Sequence, residues 1–250
     1  MKEMKEILVP STLDGSLEPS LFYKAEGEDR PLIVGLHTWS FDRFNQKENL
    51  LPLAKRLNFN LLLPEFRGPN LEDNSRATEA CGSEFAKRDI KDAIDYVIKN
   101  EGADRDNIFL LGFSGGGHMA LLMAGYIPEY FKAVGAFVPI CDLEAWCVEN
   151  PNYAPRIRAC CLDTKEMKKR SPMSYTEKIA SANVKIFHGK FDPVVPVAQS
   201  ERLYAQIRNE YPDARVFFDV FDGGHEMDLC AAEYWFMTQY KGKNVTRVSG

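Results

Sequence analysis

Three residues in a set chain order define the chemistry worth looking for: Ser114, Asp192 and His225. Ser114 lies in Gly112-Phe113-Ser114-Gly115-Gly116, a G-x-S-x-G pattern, between the apolar run Ile108–Leu111 and a helix-like apolar run. A serine on such a sharp strand-to-helix turn is held outward at the carboxyl end of its strand, and glycines at 112 and 116 relieve the crowding. An ordinary serine hydroxyl is a poor nucleophile, so the pattern demands a general base and an orienting carboxylate downstream. Of the four histidines, only His225, in "FDGGHEMD", lies on a loop past the last strand-like run. His37 and His188 end earlier runs, and His118, on the helix launched by the serine, reads as a packed or hydrogen-bonded residue. For the carboxylate, Asp192 in "HGKFDPVVP" is preferred; Asp142 competes but also suits the cap of a helix-like "LEAWCV".

With these roles His225 takes the proton of Ser114, Asp192 holds the imidazole tautomer, and the serine attacks a carbonyl. The resulting oxyanion needs donors. One is the backbone N–H of Gly115; the second is expected in "LHTWS", at Trp39 or, as the alternative, Thr38. Other readings of the glycines fare worse. Gly115-x-Gly117-x-x-Ala120 matches a dinucleotide fingerprint, but no acidic residue ends a following strand at the expected distance. A phosphate-binding loop fails because His118 and Met119 stand where its lysine and hydroxyl belong. A tight turn without chemistry is the remaining alternative.

The elements that must position these residues are short, nearly continuous apolar runs at 31–37, 60–64, 107–113, 132–140, 184–188 and 215–221. Such runs suit strands covered on both faces. Helical patterns fill the gaps at 47–57, 116–126, 197–210 and 226–240, and Ile90, Ala93, Ile94, Val97 and Ile98 make an apolar stripe stopped by Gly102. The alternation predicts an α/β fold: a mostly parallel central sheet of about eight strands with helices on both faces. "EILVP" and "SLFYKAE", with no helix between them, predict an antiparallel start. No repeat or linker divides the chain, so residues 1–250 read as one domain. The turn-rich stretch 141–176 interrupts the rhythm and is expected to be a lid-like insertion, with a plain surface excursion as the alternative.

Composition narrows the partners. The net charge of −5 and short basic runs such as Lys168-Lys169-Arg170, close to Glu166, argue against nucleic acid. No apolar stretch has the length of a leader or a membrane span, so no membrane partner and a cytoplasmic location are expected. Six cysteines without a C-x-x-C pair read as reduced thiols, or as a local disulfide among Cys141, Cys147, Cys160 and Cys161. No ligand spacing points to a metal, and no cofactor is expected. The oligomeric state is left open.

With Ser114, Asp192 and His225 in this order, the chain resembles the α/β-hydrolase superfamily, within it the prolyl-oligopeptidase-like and acyl-esterase branch. The resemblance runs from the strand at 31 to the final helix and rests on "GFSGGG", "HGKFDPVVP" followed by "SERLYAQI", and "FDGGHEM" together. "PEFRGPN" is similar to an FRG turn of that branch, where Arg67 either faces the substrate cleft or forms a structural ion pair. The chain departs from many relatives in having His37-Thr38 in place of His-Gly, which puts a Cβ close to the second oxyanion donor. The first parallel run starts at Pro31, so no β-propeller of the large prolyl oligopeptidases is expected, and access falls to the 141–176 insertion.

The resemblance implies a serine hydrolase working through an acyl-enzyme. The expected substrate is a small or medium acyl ester, because no acidic pair for gripping a peptide amino terminus is recognisable. The alternative is a serine peptidase on short peptides or acyl-amino acids; a third reading is a non-catalytic binding module on the hydrolase fold. Trp39, Trp146, Tyr153 and Phe191 are candidates to line an acyl or aromatic pocket, or are simple packing.

Overall fold

The apolar runs pair edge to edge. A computed structural model describes residues 3–71 and 73–240, and in these residues one sheet of eight strands runs in the order β1-β2-β4-β3-β5-β6-β7-β8. The strands are β1 (Lys5–Pro10), β2 (Leu17–Tyr23), β3 (Arg30–Leu36), β4 (Asn60–Pro64), β5 (Ala103–Phe113), β6 (Ala133–Phe137), β7 (Val184–Gly189) and β8 (Val216–Phe221). β1 and β2 form the expected antiparallel start, β2 lies antiparallel on β4, and the later pairs are all parallel. The run 132–140 yields a shorter strand than its apolarity suggests, because Val138 turns to φ 43° and Pro139 follows.

Alternating side chains of the buried strands feed two apolar layers. Ile33, Phe109, Leu111 and Phe137 meet α1 (Lys47–Leu57) and α9 (Leu229–Gln239). On the other face Leu32, Val34, Leu36 and Leu110 meet α2 (Glu84–Glu101) and α3 (Gly115–Tyr126), with α8 (Ala198–Glu210) further along the sheet. The stripe read from Ile90 to Ile98 is the buried face of α2, which Ser83 caps and Gly102 ends at φ 70°. α9 starts later than its apolar pattern because Asp228 caps it by accepting from the N–H groups of Cys230 and Ala231.

The 141–176 insertion is more helical than its turn-rich composition suggests. It folds as α4 (Leu143–Glu149), α5 (Ala154–Cys160) and α6 (Thr164–Lys169), followed by α7 (Thr176–Ala180). Helices this short are marginal alone. Asp142 and Asp163 cap α4 and α6, and Leu143, Trp146, Ile157, Cys160 and Met167 pack with Trp39 and Cys81 into a third apolar cluster. Among the described residues no helix is long and apolar enough to cross a membrane.

The FRG turn brings a correction to the cleft-facing reading of Arg67. Phe66 and Arg67 take φ 35° and 77°, and the Arg67 side chain turns inward until it is 1% exposed. Its guanidinium meets Asp89 at 2.6 Å, Asp14 at 2.7 Å and Glu79 at 2.8 Å, and also donates to the Ser11 hydroxyl. Its donors are committed to these partners, and Arg67 ties the β1–β2 turn to α2. Breaking a buried ion pair leaves an uncompensated charge, so Arg67→Ala is expected to cost about 3–5 kcal/mol. Urea unfolding should show this loss, while the rate per folded molecule stays near that of the wild type.

Candidate active site

The site begins with the backbone of Ser114, held at φ 55° and ψ −118° between β5 and α3. A side chain rarely accepts such a conformation unless its surroundings impose it. Here the Ser114 N–H donates to the Phe137 carbonyl at 2.9 Å, and its own carbonyl accepts from the His118 N–H at 2.9 Å. The glycines make this possible: a Cβ on Gly112 would lie 2.0 Å from the Gly116 carbonyl oxygen, and one on Gly116 2.4 Å from that of Leu36.

Ser114, Asp192 and His225 come together. His225 Nε2 is 3.0 Å from Ser114 Oγ, and His225 Nδ1 is 2.8 Å from Asp192 Oδ2. The imidazole packs against Phe113, with ring centroids 4.9 Å apart. Asp192 is fully buried at its side chain, and its other oxygen accepts from the N–H groups of Val194 and Val195 at 2.8 and 2.9 Å. Burial alone would raise its pKa, but hydrogen bonds from His188, His225, Val195 and Val194 outweigh that and hold it well below the usual carboxylate range. Asp142 lies apart from this group, accepting from the Ala145 N–H as the cap of α4.

The remaining histidines are structural. His118 donates from Nε2 to the Arg170 carbonyl at 2.6 Å, and burial pushes its pKa down to about 4. His37 stacks on Phe66 and faces the carbonyls of Thr38 and Glu65, which fixes the loop after β3. His188 is fully buried beside Asp192, at 3.5 Å, and its ring also meets Ser200 Oγ and the Val195 carbonyl. Its support of the Asp192 loop is a role that reading it as a strand end misses, although the i, i+4 spacing of His188 and Asp192 carries the signal.

The loop after β3 brings the two candidate oxyanion donors side by side. A Cβ on Gly115 would lie 2.7 Å from the Trp39 nitrogen. The Thr38 N–H is already given to Asn45 Oδ1 at 3.1 Å, which makes the Trp39 N–H the better candidate to act beside that of Gly115. Thr38 contributes otherwise: its hydroxyl accepts from the Gly115 N–H at 3.2 Å.

The predicted pocket residues do not act alike. The rings of Trp39, Trp146 and Tyr153 form one aromatic cluster, but Trp146 is only 2% exposed and donates to the Val194 carbonyl, so it is packing behind the site. Tyr153 hydrogen-bonds Ser40. Phe191, 64% exposed, lies on the Asp192 loop. A cavity of about 300 Å³ opens instead between Thr38 and Phe113, lined by Phe41, Asn45, Gln46, Asn49, Met227 and Leu229. Phe113 and Met227 neighbour the serine and the histidine in sequence and were legible in that sense; the amides before and within α1 carried no signal. The cysteines bring a second surprise: all six are free, and Cys81, Cys160 and Cys161 converge although their spacing suggests no metal site.

Residues 76–241 match the prolyl oligopeptidase family. The chain belongs to that family. The matched span contains Ser114, Asp192 and His225. This prolyl oligopeptidase family member is 25% identical over 194 residues to the acylamino-acid-releasing enzyme of Rattus norvegicus, covering 71% of this chain and 26% of that protein. The Arabidopsis thaliana enzyme of the same name is 23% identical over 235 residues, 84% of this chain and 29% of that protein. The chain thus matches under a third of the length of these relatives. Among solved structures, a Mycobacterium tuberculosis puromycin-hydrolyzing peptidase superposes with a TM-score of 0.77 at 17% identity, over 94% of this chain and 38% of that one. An esterase of Pyrococcus furiosus gives 0.71 at 16% identity, over 95% and 88%. These likenesses establish the α/β-hydrolase fold.

In this family member the depressed pKa of Asp192 links the site to stability. A carboxylate held below its unfolded value of about 3.9 stabilises the fold above that pH and loses the contribution as pH falls toward the folded value. Urea unfolding at pH 7 should separate the wild type from Asp192→Asn, and the gap should narrow at pH 3.

Proposed function

We propose that Ser114 is the nucleophile, His225 the general base and Asp192 the orienting acid of a hydrolase that cleaves N-acylated amino acids and short blocked peptides. The observation that carries the substrate class is the 300 Å³ cavity beside the triad. Its apolar residues suit an uncharged acyl or side-chain group, and around Gln46, which bonds both neighbouring amides, Asn45 Nδ2 and Asn49 Oδ1 present a donor and an acceptor to an acylamino group. It contains no carboxylate to hold a free ammonium. The relatives named acylamino-acid-releasing enzymes support the amide over the ester as the natural bond.

On this reading Ser114 Oγ attacks the acyl carbon while its proton passes to His225 Nε2, and Asp192 stabilises the imidazolium. The oxyanion takes the N–H groups of Gly115 and Trp39, displacing the Thr38 hydroxyl from the former. His225 then returns the proton to the leaving amine, and water, activated by the same imidazole, releases the acid. An acyl ester fits the same lining and leaves more readily, so a carboxylesterase is the second reading. The continuous hydrogen-bonded triad supports catalysis over a binding module, and the one sheet shared by both apolar layers supports treating the chain as a single domain.

The test compares an N-acetyl-aminoacyl anilide, its free-amino counterpart and the matched ester. The acetylated anilide should be cleaved, and the free amine should be worse by at least about tenfold, because its charge finds no partner in the cavity. Turnover of the ester alone would replace the peptidase reading with the esterase one. Ser114→Ala and His225→Ala should each lower kcat on the order of 10⁴-fold or more, and the double variant should lose scarcely more, because members of a triad act as a unit. Near-additive losses would remove His225 from the role of base.

A further inference from the structure

Three thiols distant in sequence meet beneath the insertion. Cys81 lies in the segment between β4 and α2, and Cys160 and Cys161 close α5, yet their sulfur atoms all lie within 4.8 Å of one another. The three residues are 2%, 0% and 0% exposed, and the hydrolytic mechanism uses none of them. A disulfide would employ two of the thiols and strand the third.

Two polar side chains border the cluster. Asn70 is 1% exposed; its amide nitrogen is directed at Cys160, and its Oδ1 has no hydrogen-bond partner among the described residues. A buried polar atom left this way is costly, and Oδ1 is available to a group bound beside the thiols. Positive charge is also at hand: the Arg170 guanidinium, anchored on the carbonyls of Ala80 and Thr78, acts on both Cys160 and Cys161. The Cys160 thiol donates to the Ile157 carbonyl at 3.3 Å, a contact that it would give up on losing its proton to a bound cation.

We propose that Cys81, Cys160 and Cys161 form a structural site for a zinc ion, bound through three thiolates. Thiolates select soft or borderline cations. Three of them around a dication leave a single negative charge facing the Arg170 guanidinium, which also pairs with Glu166 at 3.4 Å, whereas a monovalent ion would leave more. Tetrahedral Zn–S bonds of about 2.3 Å place sulfurs about 3.8 Å apart, so the cluster closes with small side-chain shifts. Asn70 is the neutral group available for the remaining position or for a hydrogen bond to a bound thiolate. Binding expels the remaining thiol protons to solvent, so affinity rises with pH. The ion would join α5 to the segment before α2. Through the Asn70 N–H, which donates to the Trp39 carbonyl at 2.7 Å, it would also brace the loop that carries the second oxyanion donor.

The test uses the full chain, reduced and stripped with a chelator, titrated with Co²⁺ and then Zn²⁺. The expected result is one Co²⁺ per chain with intense sulfur-to-cobalt charge-transfer absorption, displaced by one Zn²⁺, and a higher Tm with zinc. Cys81→Ser and Cys160→Ser should lose the absorption and the Tm shift; Cys147→Ser and Cys230→Ser should keep both. Absence of the charge-transfer bands in the folded wild type overturns the proposal whatever the variants do. So does their survival in Cys81→Ser and Cys160→Ser, or a disulfide linking two of the three cysteines in freshly isolated protein. None of these outcomes touches the hydrolase reading, which is measured on Ser114.

Discussion

The site depends on one steric bargain, the strained backbone of Ser114. At φ 55° and ψ −118° the residue is held by the Phe137 carbonyl on one side and the start of α3 on the other. The glycines let β3, β5 and α3 approach until a single methyl group would collide with a carbonyl. Strain of this kind persists only where the surroundings over-determine it. Here they include two apolar layers and strands paired on both edges, so the stability of the sheet is what keeps the hydroxyl aimed.

Around that fixed point the carboxylate and the imidazole are placed by loops rather than by regular elements, and each loop is pinned in its own way. The Asp192 loop is held by two backbone N–H groups and by buried His188. The loop after β3 is held by His37 stacked on Phe66 and by Asn45. Arg67 serves the same end at a distance, because its carboxylates fasten the β1–β2 turn and α2 to the turn after β4. Polar groups are buried here where each finds several partners.

Much of this was legible in the residues. Apolar runs and the i, i+3, i+4 stripe located the strands and helices, because burial on both faces of a parallel sheet leaves a continuous apolar signature. The chain order of Ser114, Asp192 and His225 anticipated the three residues that the fold gathers. What escaped depends on long-range packing. Nothing local to Arg67 says whether a guanidinium turns inward, since its partners Asp14 and Asp89 lie in other elements. The convergence of Cys81 with Cys160 and Cys161 has no spacing signature for the same reason. Apart from α4, announced by "LEAWCV" and its Asp142 cap, the helices of the insertion were hidden because each is short and takes its order from Trp39 and its neighbours, not from its own propensity.

The contact between the Thr38 hydroxyl and the Gly115 N–H sets a threshold for whatever enters. In the proposed mechanism a substrate carbonyl meets a donor already occupied by a neutral internal acceptor. A ground-state carbonyl, itself neutral, gains little by the exchange. A tetrahedral oxyanion is a far stronger acceptor and wins it outright. The side chain that departs from the glycine of many relatives therefore shifts binding energy from the substrate toward the transition state, a bias in favour of turnover over affinity.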